Sequence, residues 1–254
     1  MTTSQNTEIS RSALVTGASS GIGQATVRAL RAQGWKVFAV ARRAERLNAL
    51  AAESGAIALA ADVSVQSEVD ALVLSVAEQG GADTLVNCAG GARGSDYWAE
   101  AKDEDWEFMW QSNVMGTMRL TRALLPSLRT TGGTILNVTS TAALASYEGG
   151  SGYNAAKSAQ RAMSQALRLE EVENGIRVIE ILPGLVQTEE FALRRLGSKE
   201  AAENVYAGVA EPLTAEDVAE VIRYAVSAPA HVNLDEIVIR PQAQAANHKL
   251  IRKG

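Results

Sequence analysis

A phenol and an ammonium stand four residues apart in the run Tyr153-Asn-Ala-Ala-Lys157. That spacing puts both on one face of a helix. An ammonium beside a phenol favours the phenolate and lowers a pKa that is ordinarily about 10. Such a pair can protonate a developing alkoxide or take a proton from a hydroxyl. Far upstream, Thr16-Gly17-Ala18-Ser19-Ser20-Gly21-Ile22-Gly23 makes a glycine-rich turn between the apolar run Ala13-Leu14-Val15 and an amphipathic stretch beginning near Ile22. A turn of this kind lets a pyrophosphate approach the backbone and rest at a helix N-terminus, where free N–H groups and the helix dipole favour negative charge. A dinucleotide site and a proton donor for a carbonyl together point to hydride transfer. Neither half suffices alone. The glycine spacing departs from the G-x-G-x-x-G fingerprint, and a lone Y-x-x-x-K is ordinarily a solvated helical face.

The elements that must position these groups can be read from hydrophobic period. Ala13–Val15, Val37–Ala41, Ile57–Ala60, Thr84–Val86, Thr134–Val138, Val178–Leu182 and Glu236–Ile239 read as strands, several nearly continuous in apolar character, as parallel strands covered on both faces are. Helical stretches fall near Ile22–Gln33, Ala44–Ser54, Val65–Gln79, Asp103–Arg129, Ser151–Asn174 and Ala215–Ser227. This alternation predicts an α/β, doubly wound parallel sheet of about seven strands, with ligands beyond the carboxyl ends of the strands. Residues 1–10 read as a loose polar extension, 11–241 as one domain and 242–254 as a tail without strand or helix period. Residues 189–211 lack a clear strand and are expected to form a mobile substrate-covering helix and loop.

Composition narrows the function classes. With 254 residues and 46% hydrophobic content the chain can bury a full core. Its net charge of −5 is interspersed, with no basic stripe, so neither nucleic acid nor an anionic membrane is an expected partner. Cys88 is the single cysteine, which excludes an intrachain disulfide and a cysteine-rich metal site and fits a cytoplasmic setting. Its side chain reads as a small packing group rather than a redox switch. The two histidines, His231 and His248, have no Ser/Asp partner nearby in sequence, so no metal site or hydrolytic triad is expected.

The segments Thr16–Gly23, Asp62-Val63, Asn87-Cys88-Ala89-Gly90, Asn113, Ser140, Tyr153 with Lys157, and Pro183-Gly184 together resemble a short-chain dehydrogenase/reductase of Rossmann type, over almost the whole length. The resemblance implies a catalytic set of Asn113, Ser140, Tyr153 and Lys157. In that set Tyr153 is the acid/base, Ser140 a donor to the substrate oxygen, Lys157 a partner of both Tyr153 and the nicotinamide ribose, and Asn113 the anchor of a water leading from Lys157 to solvent. It also implies cofactor contacts at Gly17, Ser19, Ser20, Gly21, Ile22, Asp62, Val63, Asn87, Ala89, Gly90, Tyr153, Lys157, Pro183, Gly184, Val186 and Thr188. Cys88 stands where the family commonly has a second Asn. Asp62 is also placed to cap the helix expected from Val65.

Strand two ends Ala39-Val40-Ala41-Arg42-Arg43, without the acidic residue that meets a free ribose 2′-hydroxyl. Two guanidinium groups, Arg42 and Arg43, suit a phosphate instead, so NADP(H) is the expected cofactor. Three stretches resemble a bacterial NADP-dependent 3-hydroxy acid (serine/allo-threonine) dehydrogenase group: Ser140-Thr-Ala with Tyr147-Glu-Gly-Gly, Thr188-Glu-Glu-Phe191 with Arg194-Arg195, and His231 to Pro241. An arginine holding a substrate carboxylate would then be Arg195, with Arg93 as second choice. Two alternatives remain. One is a reductase of bulkier ketones or aldehydes whose pocket is lined by Trp98, Trp106 and Trp110; the other is a non-catalytic NADP-binding sensor. The resemblance further implies a homotetramer, with the tail docked at a subunit interface.

Overall fold

The computed structural model describes residues 11–253; the extension expected at residues 1–10 lies outside them. Seven parallel strands form one sheet: β1 (Ser12–Thr16), β2 (Lys36–Ala41), β3 (Ile57–Ala60), β4 (Thr84–Asn87), β5 (Thr134–Val138), β6 (Arg177–Pro183) and β7 (Glu236–Ile239). Their spatial order is β3-β2-β1-β4-β5-β6-β7. Chain direction of the crossovers reverses between β1 and β4, and the crevice this leaves beyond the strand ends is where α/β sheets bind ligands.

The inner strands carry apolar residues on both faces because both are covered. Ala13 and Val15 of β1 join a cluster with Val27 and Leu30 of α1 (Gly21–Ala32) and Val218 and Ile222 of α9 (Ala215–Val226). Leu14 points the other way, packing with Phe38, Val69, Leu72, Leu120 and Leu124 from β2, α3 (Gln66–Glu78) and α5 (Gly116–Thr131). Full burial of a side chain such as Phe38 stabilises by roughly 1.5–3 kcal/mol. Two long-range arginines close the far end. Arg11 Nη1 donates to Val226 O at 2.9 Å, and Arg177 donates to Val226 O at 2.9 Å and to Ala228 O at 3.0 Å.

Helix α2 (Ala44–Ser54) follows β2 as expected. The stretch read as one helix over Asp103–Arg129 is three segments: α4 (Asp103–Met109), a π-helical turn at Trp110–Met115, and α5. One residue inserted into a helix shifts the later face by a fraction of a turn, which the hydrophobic period does not register. Helix α6 (Ser151–Glu171) carries Tyr153 and Lys157. Between β6 and α9 the chain leaves the sheet as α7 (Phe191–Leu196) and α8 (Lys199–Tyr206). The excursion is pinched at its base, where Gln187 N donates to Leu213 O at 2.7 Å and Leu213 N to Leu185 O at 3.2 Å.

The tail differs from the irregular segment expected. It forms a small antiparallel pair, β8 (Gln244–Ala246) and β9 (Lys249–Leu250), and docks on its own chain. Asn247 Nδ2 donates to Thr141 O at 2.9 Å, and Lys253 N to Gly208 O at 2.7 Å, so the tail ties the loop after β5 to the segment beyond α8.

Candidate active site

The glycine turn is shaped by two constraints. Gly17 has φ +67, and a Cβ there would sit 2.9 Å from Cys88 O, so only glycine lets the ends of β1 and β4 meet. Thr16 Oγ1 accepts from Cys88 N at 3.0 Å and Ala89 N at 2.9 Å, stitching those ends together. Helix α1 starts directly after the turn, with no acidic residue in its first turn and no side-chain bond from its cap residue Ser20. Its leading N–H groups and dipole are therefore uncommitted and suit an anion.

From this turn a cleft of about 800 Å³ runs along the strand ends to α6 and α7, a volume in the range of small-ligand sites. Every residue expected from the sequence to touch a cofactor lines it except Asn87, and Arg93 and Arg195 line it as well. Asn87 is only 2% exposed and donates to Asn137 Oδ1 at 2.8 Å and Thr121 Oγ1 at 3.3 Å. Its side chain bonds the neighbouring strand β5 and helix α5, while the next residues, Cys88 and Ala89, line the cleft. Burial pushes the Cys88 thiol up to about 12, so it is protonated and unreactive. Asp62 also differs from expectation. Its Oδ1 accepts from Ser64 N at 2.9 Å and Ser64 Oγ at 2.7 Å, and α3 starts only at Gln66, so Asp62 caps the preceding turn rather than the helix. Arg42 lies 3.6 Å from Asp62, whereas Arg43 reaches back to the glycine turn, with Nη2 2.8 Å from Ser19 Oγ and 3.0 Å from Ser20 Oγ.

Ser140, Tyr153 and Lys157 converge at the far end of the cleft, but their electrostatics depart from the simple pair. Burial pushes the Tyr153 phenol well above its ordinary value; Tyr147 adds to the rise, while the Ser140 hydroxyl and the Arg195 charge pull it back. The lowering expected from Lys157 is not realised, because the ammonium is turned elsewhere. Lys157 Nζ donates to Val138 O at 3.1 Å and Gln160 Oε1 at 2.9 Å, and lies 5.8 Å from the Tyr153 ring centre. Burial lowers Lys157 to about 8, opposed by the carboxylate of Glu180. At neutral pH the phenol thus holds its proton beside a charged lysine, the state needed to protonate a carbonyl oxygen.

Asn113 sits in the π-helical turn and is fully buried. Its Nδ2 donates to Met109 O at 2.7 Å and Gly91 O at 2.9 Å, and a Cβ on Gly90 would collide with its Oδ1. It fixes the loop that follows β4. The resemblance implied a water between Asn113 and Lys157. Between Lys157 and the backbone of Asn113 stand the side chains of Gln160 and Thr117: Gln160 Nε2 donates to Thr117 Oγ1 at 2.9 Å, and Thr117 Oγ1 to Asn113 O at 2.8 Å. Gln160 was not foreseen, because a polar residue one turn beyond Lys157 reads as a solvated face; it is completely buried.

Helix α7 covers the site. Phe191 meets Tyr153 edge-on at 5.8 Å. Arg195 donates to Tyr147 Oη and Gly149 O, each at 2.9 Å, and to Gly94 O at 3.3 Å, and its guanidinium is 6.0 Å from the Tyr153 ring centre. Arg93 is exposed and stacks 3.9 Å over Phe108. None of Trp98, Trp106 and Trp110 lines the cleft; Trp98 packs on Trp106 at 5.2 Å and is otherwise exposed. His231 and His248 are exposed, and no metal-ligating cluster exists among the described residues.

Residues 11–198 match the short chain dehydrogenase family. An uncharacterized oxidoreductase of Mycobacterium tuberculosis is 52% identical over 237 residues, 93% of each chain. The serine 3-dehydrogenase of Agrobacterium fabrum is 38% identical, over 91% of this chain and 94% of that one. The closed form of a serine dehydrogenase complexed with NADP+ superposes with a TM-score of 0.89 at 36% identity, covering 96% of this chain and all of that one. With its sheet order, its glycine turn and its serine, tyrosine and lysine gathered at one cleft, the chain belongs to the short-chain dehydrogenases and is an oxidoreductase.

Proposed function

We propose that this enzyme is an NADP-dependent dehydrogenase of small 3-hydroxy acids, interconverting the 3-hydroxyl and 3-oxo forms. The cleft suits the cofactor: a bare helix N-terminus awaits the pyrophosphate, and Arg42 and Arg43 stand at the rim where a ribose 2′-phosphate reaches. NADP(H), when bound, supplies or accepts the hydride. The residues of the chain do the rest. Tyr153 passes its phenolic proton to the substrate oxygen in reduction and recovers it in oxidation. Ser140 directs its hydroxyl at the same oxygen as charge develops there. Lys157 has one N–H left after Val138 O and Gln160, and offers it towards the cofactor ribose.

The observation that carries the substrate class is the state of Arg195. Of its five N–H donors three are spent, leaving one on each terminal nitrogen above the Tyr153 ring. Those two suit a single carboxylate. The names of relatives that act on serine support the same reading. The experiment is a cofactor-coupled absorbance screen of L- and D-serine, allo-threonine, 3-hydroxyisobutyrate and 3-hydroxybutyrate with NADP, alongside uncharged aldehydes and ketones with NADPH. Turnover of the acids is expected, and Arg195→Ala is expected to raise their KM at least about tenfold, the loss of one charge-assisted pair. Activity confined to uncharged carbonyls, indifferent to Arg195→Ala, rejects the carboxylate clamp.

Gln160 gives a pH prediction. Reduction needs a protonated Tyr153 beside a charged Lys157, so its rate falls as pH rises through the Lys157 value of about 8. The groups facing Lys157 are Cys88 after β4, Glu180 on β6 and Tyr153 on its own helix, with Arg195 on α7 beyond Tyr153. Gln160→Met removes an acceptor that favours the ammonium. The alkaline limb of kcat/KM for reduction is expected to move to lower pH, by about one unit for a lost charge-assisted bond of about 1.4 kcal/mol. A profile superimposable on the parent enzyme rejects that role for Gln160. Assembly into a homotetramer is part of the same proposal, supported by the exposed Tyr97, Trp98 and Trp110 and by the half-exposed edge strand β7.

A further inference from the structure

The rim where the 2′-phosphate is expected is already ordered by a carboxylate from the opposite wall. Glu190, the residue before α7, has a side chain only 14% exposed. Its Oε1 lies 2.6 Å from Arg43 Nη1 and 2.6 Å from Arg46 Nη1, and its Oε2 lies 2.6 Å from Arg194 Nη2. Burial alone pushes the carboxyl up, but Arg43 and Arg194 outweigh it and hold Glu190 ionised, below the usual carboxylate range. Arg43 completes its bonding on Ser19 and Ser20, so its Nη1 is the corner turned away from the glycine turn, and Glu190 occupies it.

The charge balance makes this occupation consequential. Four guanidinium groups, those of Arg42, Arg43, Arg46 and Arg194, face three carboxylates, those of Asp62, Glu189 and Glu190. One positive charge is left over, too little for a phosphate that carries close to two negative charges. A phosphate entering with Glu190 in place meets a carboxylate on the donor it needs; with Glu190 withdrawn onto Arg194, Arg43 is left without a carboxylate partner among the described residues and Arg46 keeps only the exposed Glu189. Withdrawal is structurally open. Arg194 lies one turn along from Glu190 and pairs with its other oxygen, so the carboxylate keeps a partner when it gives up Arg43 and Arg46.

We propose that Glu190 is a built-in occupant of the 2′-phosphate pocket, competing with that phosphate for Arg43 and Arg46 and thereby setting the enzyme's preference for NADP over NAD. The proposal rests on the reading that Arg42 and Arg43 receive the 2′-phosphate. Glu190 acts against the phosphate it faces: it keeps the arginines ordered without cofactor and lowers the affinity for the phosphorylated form.

The test is calorimetric titration of the full chain with 2′,5′-ADP and 5′-AMP, the adenosine halves of the two cofactors, which need no turnover. Glu190→Gln keeps the shape and removes the charge. It is expected to tighten 2′,5′-ADP about tenfold and leave 5′-AMP within twofold. Glu190→Asp retracts the carboxylate and is expected to tighten 2′,5′-ADP by a smaller factor, which guards against a misfolded first variant. Weaker 2′,5′-ADP binding by both variants would mean that Glu190 positions Arg43 for the phosphate, and overturns the competition. Equal changes for both ligands overturn it too. Arg43→Ala separates the underlying reading: if it leaves 2′,5′-ADP binding unchanged, the phosphate assignment itself fails, whereas a loss with Arg43→Ala and no effect of Glu190→Gln removes only the proposal.

Discussion

Tyr153→Phe should abolish turnover while sparing cofactor binding. The substitution deletes one oxygen from a side chain that is 9% exposed and packed edge-on against Phe191, so the walls of the site keep their contacts. What goes is the hydroxyl proposed to give its proton to the substrate oxygen. Ser140 Oγ accepts from Ala142 N at 3.1 Å and cannot replace it at neutral pH, because a neutral hydroxyl gives up a proton far less readily than a phenol. General acid catalysis is worth roughly 10² to 10⁴ in rate, and a fall in kcat of about a thousandfold is expected. Fluorescence titration should find NADPH affinity within twofold of the parent. Loss of binding together with turnover would make Tyr153 a structural or cofactor residue; unchanged turnover would remove it from the chemistry.

Arg42→Ala combined with Arg43→Ala should reverse the cofactor preference. Hydrogen bonds to charged groups are each worth about 1.5–3 kcal/mol, so losing two amounts to a factor of at least about a hundred in kcat/KM for NADPH. NADH, which lacks the phosphate, should change little. Arg42 is 57% exposed and paired with Asp62 only at 3.6 Å, so its contribution is screened and the larger share of the effect is expected from Arg43. Steady-state kinetics with both nucleotides on the single and double variants decide this. Equal losses for NADPH and NADH would show that the arginines hold the rim together without distinguishing the two.

The elements were legible because the inner strands β1, β2, β4, β5 and β6 are covered on both faces and leave short apolar runs, while surface helices bury one face and keep a period of 3.6. β3 was read at its exact bounds, and β5 and β7 likewise. The turn at Gly17 was legible for a related reason: a backbone that must approach another backbone leaves glycine as its mark. What escaped depended on partners far away in the chain. Asn87 reads like the polar end of a strand, and only the pairing of β4 with β5 turns it onto Asn137 and away from the cleft. Gln160 and Thr117 belong to two different helices, so nothing local announces that they join Lys157 to Asn113. Glu190 looks like one acid among several; its meaning comes from arginines at the start of α2 more than 140 residues earlier. The raised Tyr153 value escaped for the opposite reason. The i,i+4 spacing with Lys157 is real, but the ammonium finds better acceptors in Val138 O and Gln160 than in its neighbour.

Helix α1 rests on α9, and β1 lies between β2 and β4 rather than at an edge. The contacts that join the strands of the sheet therefore link segments far apart in sequence, and a chain beginning to fold must pay the entropy of closing long loops before those contacts reward it. Parallel pairing without hairpins places such a molecule among slow folders, in which exposed strand edges wait for distant partners. The glycine turn at Gly17 inherits this timing. Its shape depends on Cys88 and Ala89, which arrive only when β4 takes its place beside β1. A nucleotide can thus act on folding only after that pairing, holding the finished cradle closed rather than guiding its assembly.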